Sequence, residues 1–188
     1  MTRLAFLWDQ SRCISCGACI AACNAGNYKS STSSNISWNW IRTNIKRIEL
    51  DRSIRPMVLL VQCQQCENPP CVTVCPTGAS YKDSEGLVKI NYRLCIGCRY
   101  CMVACPYQAR WFDEEVWAPV KCMGEECLER ISRGERPICV AVCPANARDF
   151  GDIDDPNSSI SRRLAESRYV KLLENVGTDP KYYVVVGP

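Results

Sequence analysis

An α+β fold, with short helices and β-hairpins strung between runs of cysteine, follows from three features of the sequence. The chain of 188 residues carries 16 cysteines and no histidine. They form four runs with none left over: Cys13, Cys16, Cys19 and Cys23; Cys63, Cys66, Cys71 and Cys75; Cys95, Cys98, Cys101 and Cys105; and Cys122, Cys127, Cys139 and Cys143. Between them lie paired short segments separated by turn residues, the pattern of hairpins. Leu, Ile, Val and Phe make up only about 22% of the chain, close to the level below which a core is hard to build. Groups held by the cysteines are therefore needed to complete the interior.

The third run reads Cys95-Ile-Gly-Cys98-Arg-Tyr-Cys101-Met-Val-Ala-Cys105-Pro106. This is the C-x2-C-x2-C-x3-C-P pattern in which three thiolates hold one [4Fe-4S] cube and the fourth ligates a different cube. Each run thus requires a partner run. Metal binding to a site absent from the unfolded chain adds directly to folding stability, so the metal-free protein is expected to be largely unfolded. Disulfides fit poorly: cysteines with two residues between them are poorly placed to be separate staples, and the segment from Met1 to Gln10 has only a five-residue apolar patch, Leu4 to Trp8, without a cleavage-site pattern. Zinc fits poorly too, because its sites draw on pairs of ligands, whereas Cys95 to Cys105 offers three plus a displaced fourth. The net charge is +3 with neutral thiols; four loaded cubes at about −2 each bring it to roughly −5. With no clustered Lys/Arg stripe, a nucleic-acid surface is not expected, and no apolar run approaches the roughly 18 residues of a membrane span.

Taken in order, residues 18–23 are expected to form a helical turn. Residues 24–60 lack cysteine and are read as a β-hairpin insertion, with strands at Ser37 to Arg42 and Ile45 to Leu50, a third at Met57 to Val61, and Trp38 and Trp40 as packing residues. Hairpins are expected from Ser80 to Lys82 with Leu87 to Asn91, and from Ala109 to Phe112 with Val116 to Val120. Leu128 to Pro137 reads as a charged surface excursion. Asp155-Pro156 predicts a helix start running to about Glu166, Lys171 to Val176 is ambiguous, and Tyr182 to Val186 predicts a strand.

The four runs in this order, with Cys66-Glu-Asn-Pro-Pro-Cys71, Cys75-Pro-Thr-Gly-Ala79, Cys105-Pro-Tyr-Gln-Ala-Arg110, Phe150-Gly-Asp152 and Asp155-Pro-Asn157, carry a specific likeness. The chain resembles the four-cluster iron–sulfur subunits of the dimethyl sulfoxide reductase family of molybdopterin oxidoreductases, such as those of polysulfide and tetrathionate reductases and membrane-bound formate dehydrogenase. The resemblance spans residues 10 to about 185. It implies two interleaved bacterial-ferredoxin-like modules: an outer one from residues 1–23 and 121–155, an inner one from 61–120, and a C-terminal helix and strand strap over 156–188. It also implies the ligand sets of four [4Fe-4S] clusters: Cys13, Cys16, Cys19 with Cys143; Cys122, Cys127, Cys139 with Cys23; Cys63, Cys66, Cys71 with Cys105; and Cys95, Cys98, Cys101 with Cys75. The family usually has two residues between the first two cysteines of the fourth run, whereas this chain has four between Cys122 and Cys127.

With no phosphate-binding glycine loop and no paired acids in a plausible pocket, the sequence offers little for substrate chemistry. The expected role is non-catalytic: single-electron relay in anaerobic respiration between a large molybdenum or tungsten pterin subunit and a quinone-linked membrane subunit or soluble carrier. The alternatives are the same relay serving a nickel-iron hydrogenase or a tungsten aldehyde oxidoreductase, or a free-standing polyferredoxin. Arg12, Arg93, Arg99 and Lys121 lie within two residues of ligands and are candidates for tuning potentials, against the ordinary role of solvated side chains. The expected location is the cytoplasm, or export as a folded protein with a signal-bearing partner, peripheral to the membrane if anchored. Arg162-Arg163 is too internal for a twin-arginine signal.

Overall fold

The computed structural model describes residues 2–27, 46–50, 53–57 and 60–187. In chain order it runs from β1 (Leu4–Asp9) through α1 (Ala18–Asn27) to a hairpin of β2 (Lys46–Leu50) and β3 (Ser53–Met57). The helical turn α2 (Pro70–Thr73) leads to a hairpin of β4 (Ser80–Lys82) and β5 (Val88–Ile90); α3 (Tyr100–Val103) leads to one of β6 (Arg110–Asp113) and β7 (Ala118–Lys121). Then follow α4 (Glu125–Ser132), α5 (Ile138–Ala141), β8 (Arg148–Asp152), α6 (Ser159–Glu166), β9 (Tyr169–Lys171) and β10 (Tyr182–Val185). The fold is α+β, as expected.

The two ends of the sequence come together in the largest sheet, of order β8-β1-β10-β9. β1 runs parallel to β10, with Phe6 opposite Tyr182, and antiparallel to β8, with Phe6 opposite Phe150. All six β1 residues are buried. On one face Ala5, Leu7, Tyr183 and Val185 pack with Ile160 of α6. On the other, Phe6, Trp8, Phe150, Tyr182 and Val184 pack with Cys23, Cys122, Cys127 and Cys139. A strand covered on both faces reads as a continuous apolar run, which is why Leu4 to Trp8 is a patch and not an alternation. Burying each of Phe6, Leu7 and Trp8 contributes about 1.5–3 kcal/mol.

The helical turns that carry cysteines pack in nested pairs, α1 on α5 and α2 on α3. α1 approaches α5 closely: a Cβ on Gly26 would overlap Ile138 Cδ1.

Several expectations change. The strand expected at Ile45 to Leu50 is present as β2, and it pairs with β3; the strand at Ser37 to Arg42, with Trp38 and Trp40, lies outside the described residues. Met57 ends β3, whereas Leu60 to Gln62 is irregular. The expected excursion at Leu128 to Pro137 begins inside α4, which buries Cys127 and turns Leu128 and Ile131 toward the core. The last helix starts at Ser159, because the Asp155 carboxylate accepts from Asn157 N at 2.9 Å and closes a turn of its own; Ser158 is the cap, accepting from Ser161 N at 3.1 Å. The ambiguous segment yields β9 and a 3-10 turn over Glu174–Val176.

The β4–β5 turn is held by one carboxylate. Asp83 accepts from Leu87 N at 2.8 Å and Glu85 N at 3.0 Å and pairs with Lys89 at 2.5 Å. Burial works to raise its pKa, but Lys89 and these N–H groups outweigh burial and hold it below the usual aspartate range. The stability it supplies is therefore fully present above the unfolded value of about 4 and is lost as pH falls through the lower folded value. Asp83→Ala is expected to speed amide exchange at Leu87 by about tenfold; unchanged exchange would show that the turn holds without the carboxylate.

Candidate metal centres

Each run opens with the same backbone device. Ser15, Gln65 and Gly97, each just before the second cysteine, have φ of 57°, 48° and 67°, and Met123 after Cys122 has 72°. Left-handed residues among ordinary ones turn successive N–H groups to one side and make a concavity suited to an anion. For the non-glycine residues this conformation costs about 1–2 kcal/mol and persists where the surroundings enforce it.

Three runs also close alike. Cys75, Cys105 and Cys143 are each followed by proline, which supplies no N–H to continue a helix, and three residues on by the left-handed Gly78, Gln108 and Asn146. The turn returns an N–H to the sulfur: Ser80 N to Cys75 Sγ at 3.3 Å, Ala109 N to Cys105 Sγ at 3.4 Å and Ala147 N to Cys143 Sγ at 3.3 Å. Burial works to raise the Cys75 thiol, but donors from Ser80, Thr77 and Ala79 outweigh it and hold the thiol low.

The first run ends differently, because Asn24 stands where the others have proline, and α1 continues to Asn27. Asn27 donates from Nδ2 to Cys23 Sγ at 3.6 Å and to Cys127 Sγ at 3.5 Å, and its Oδ1 accepts from Cys127 N at 3.3 Å. A side-chain amide thus does here what a backbone amide does elsewhere. Gly124 makes room for it: a Cβ there would overlap the Asn27 side chain. The four-residue gap between Cys122 and Cys127 holds that glycine and the first two residues of α4.

The cysteines gather as follows. Cys13, Cys16, Cys19 and Cys143 line one cavity with Trp8 and Arg148. Cys23, Cys122, Cys127 and Cys139 are all buried in one cluster beneath the sheet. Cys63, Cys66, Cys71 and Cys105 line another cavity with Val88 and Arg110. Cys75, Cys95, Cys98 and Cys101 line a further cavity, again with Arg110. Each set takes three cysteines from one run and one from another. Cys16 of the first set and Cys98 of the last are exposed.

Burial pushes the Cys66 thiol up to about 12 and the Cys139 thiol up to about 11, and raises Cys23 and Cys122 as well, with neighbouring cysteines adding to the effect at Cys66, Cys23 and Cys122. Such groups become thiolates only when a cation joins them. Cationic side chains stand close by. Arg110, 5% exposed, donates from Nη2 to Cys71 Sγ at 3.0 Å and to Ser80 Oγ at 2.8 Å. Arg148, 3% exposed, donates to Gln62 Oε1. Burial opposes both charges, but the acidic groups around each outweigh it: Cys71 and Cys101 for Arg110, Cys139 and Tyr182 for Arg148. Arg110 Nη1 and Arg148 Nε and Nη1 are buried without a protein acceptor. Donors left so inside a fold fit an anionic group beside them, and sets of four cysteines with N–H groups aimed at sulfur suit [4Fe-4S] ligation.

Of the tuning candidates from the sequence, Arg12 and Arg93 are exposed, and Arg99 stacks 3.8 Å from the Phe112 ring centroid. Lys121 is buried, its Nζ donating to the carbonyls of Val88 and Cys122. Sequence reasoning missed Arg110 and Arg148 as cations of the sites, since they lie five residues beyond a ligand. The signal was present: Cys-Pro-x-x-Ala-Arg occurs at Cys105 to Arg110 and again at Cys143 to Arg148, with Ser80 at the corresponding place after Cys75.

Fold and cysteine sets together define a ferredoxin-like iron–sulfur protein. Residues 56–153 and residues 12–79 each match a 4Fe-4S dicluster domain family. The chain is 43% identical to a polysulfide reductase chain of Wolinella succinogenes, over 94% of this sequence and 91% of that one. It is 36% identical to the iron-sulfur subunit of a putative dimethyl sulfoxide reductase of Halobacterium salinarum (100% and 80%) and 37% identical to a sulfite dehydrogenase subunit of Allochromatium vinosum (96% and 81%). The chain therefore belongs to this 4Fe-4S dicluster family of iron–sulfur electron-transfer subunits. Among the described residues, no helix is long and apolar enough to cross a membrane.

Proposed function

We propose that the four cysteine sets hold four [4Fe-4S] clusters and that the chain relays single electrons between a large molybdenum or tungsten pterin subunit and a quinone-linked membrane subunit or soluble carrier. When bound, the clusters supply one-electron carriers. The chain's residues fix where those carriers sit, donate N–H groups to the cysteine sulfurs and exclude water from the second set. The observation that carries the reading is the gradient of exposure: Cys16 in the first set and Cys98 in the last reach the surface, while every cysteine of the second set is buried. A route with both ends open and its middle enclosed suits a relay between two partners. The names of the relatives, each one component of a reductase or dehydrogenase, support a larger catalytic partner.

Metal analysis of the anaerobically purified native complex tests this. About sixteen irons per copy, beyond any held by the partner, with molybdenum or tungsten in that partner, is the expected result. Nickel in place of both would move the partner to a hydrogenase, and zinc without iron would overturn the reading.

A further inference from the structure

Among the described residues four Lys and Arg side chains are buried: Arg110, Lys121, Arg148 and Lys181. Lys181 meets a carboxylate, Glu67, at 3.2 Å. The other three stand among cysteines, and their places follow the order of the sets. Arg148 lines the cavity of Cys13, Cys16, Cys19 and Cys143, and its strand β8 packs on α5, which carries Cys139 of the second set. The Lys121 ammonium bridges the carbonyl of Cys122, in the second set, and that of Val88, which lines the cavity of the third set. Arg110 lines the cavities of the third and fourth sets together and bonds Cys71 of the third, with Cys101 of the fourth lining the same cavity.

We propose that Arg148 and Arg110 are shared counter-charges, each fixed in the gap between two adjacent clusters and raising the reduction potentials of both, with Lys121 in the gap between. This rests on the relay reading above. A reduced cluster carries one more negative charge than an oxidised one, so a buried cation beside it stabilises the reduced form. Because one guanidinium faces two clusters, it favours an electron on either side and raises both potentials together. It also screens the repulsion between two anionic groups where little water is present to do so. The orphaned Nη1 of Arg110 and Nε and Nη1 of Arg148 are the donors left to serve the second neighbour.

The test is a potentiometric titration of the anaerobic complex, followed by electron paramagnetic resonance, on the wild type, Arg110→Gln and Arg148→Gln. Iron content and the number of wild-type transitions report on the relay reading itself; the variants report on the counter-charges. In each variant two cluster midpoints are expected to fall by an amount that changes the oxidised-to-reduced ratio about tenfold, which is about 59 mV for one electron, and the affected pair should differ between variants. Arg110→Lys should restore most of the shift. If Arg148→Gln does not assemble, Gln62→Glu sets a carboxylate against the intact guanidinium, and the same two midpoints should fall. Unchanged midpoints, or an equal fall at all four clusters, would overturn the proposal.

Discussion

Anaerobic removal of iron is expected to unfold the protein. The inner face of the main sheet, with Phe6, Trp8, Phe150, Tyr182 and Val184, packs on Cys23, Cys122, Cys127 and Cys139. Without metal those cysteines are neutral thiols with nothing to tie them together, the strained left-handed residues lose what enforces them, and Arg110 and Arg148 remain as buried charges without a compensating anion. Leaving a buried charge uncompensated costs about 3–5 kcal/mol at each, comparable to the whole stability of many domains. The outer face, sealed by Ile160 of α6, is too small to compensate. Chelation under reducing conditions should therefore abolish near-ultraviolet circular dichroism and amide protection in β1 and β10 together. A stripped protein that keeps protection in β1 would show that apolar packing alone sustains the sheet.

A second large effect concerns the irregular fourth run. Cys23→Ala and Cys127→Ala change runs that are far apart in the sequence, yet Asn27 contacts both sulfurs and the two share one buried cluster. Each variant is expected to lower iron from about sixteen to about twelve per copy and to remove the same paramagnetic signal. The double variant should lose no more than either single one. Loss of different signals in the two single variants would separate the residues and defeat the proposed ligand set.

The hairpins were legible because they are local: Asp83 to Gly86 is a turn sequence whose carboxylate closes its own loop, and the strands on either side need only their neighbours. β8 was not legible, because Arg148-Asp-Phe-Gly-Asp152 carries three charges and a glycine, and becomes a strand by pairing with β1 from the other end of the sequence. Asp155 misled for the opposite reason. It is a good helix cap by type, but its carboxylate is occupied one turn too early.

By itself the sequence determined the donor chemistry. Sixteen cysteines without histidine, gathered in four runs, leave sulfur as the donor the chain offers to a metal, because closely spaced cysteines bring several sulfurs within reach of one group. Tertiary structure alone decided what lies between the sets. β1 is buried on both faces because α6 covers one and the cysteines of the second set lie under the other, Asn27 reaches Cys127 because Gly124 leaves room for its amide, and Arg110 faces two cavities because α2 packs on α3. These are contacts between residues far apart in the chain, and burial, which gives a charge or an amide its effect on a neighbour, is a property of the assembled interior that no local stretch of sequence contains.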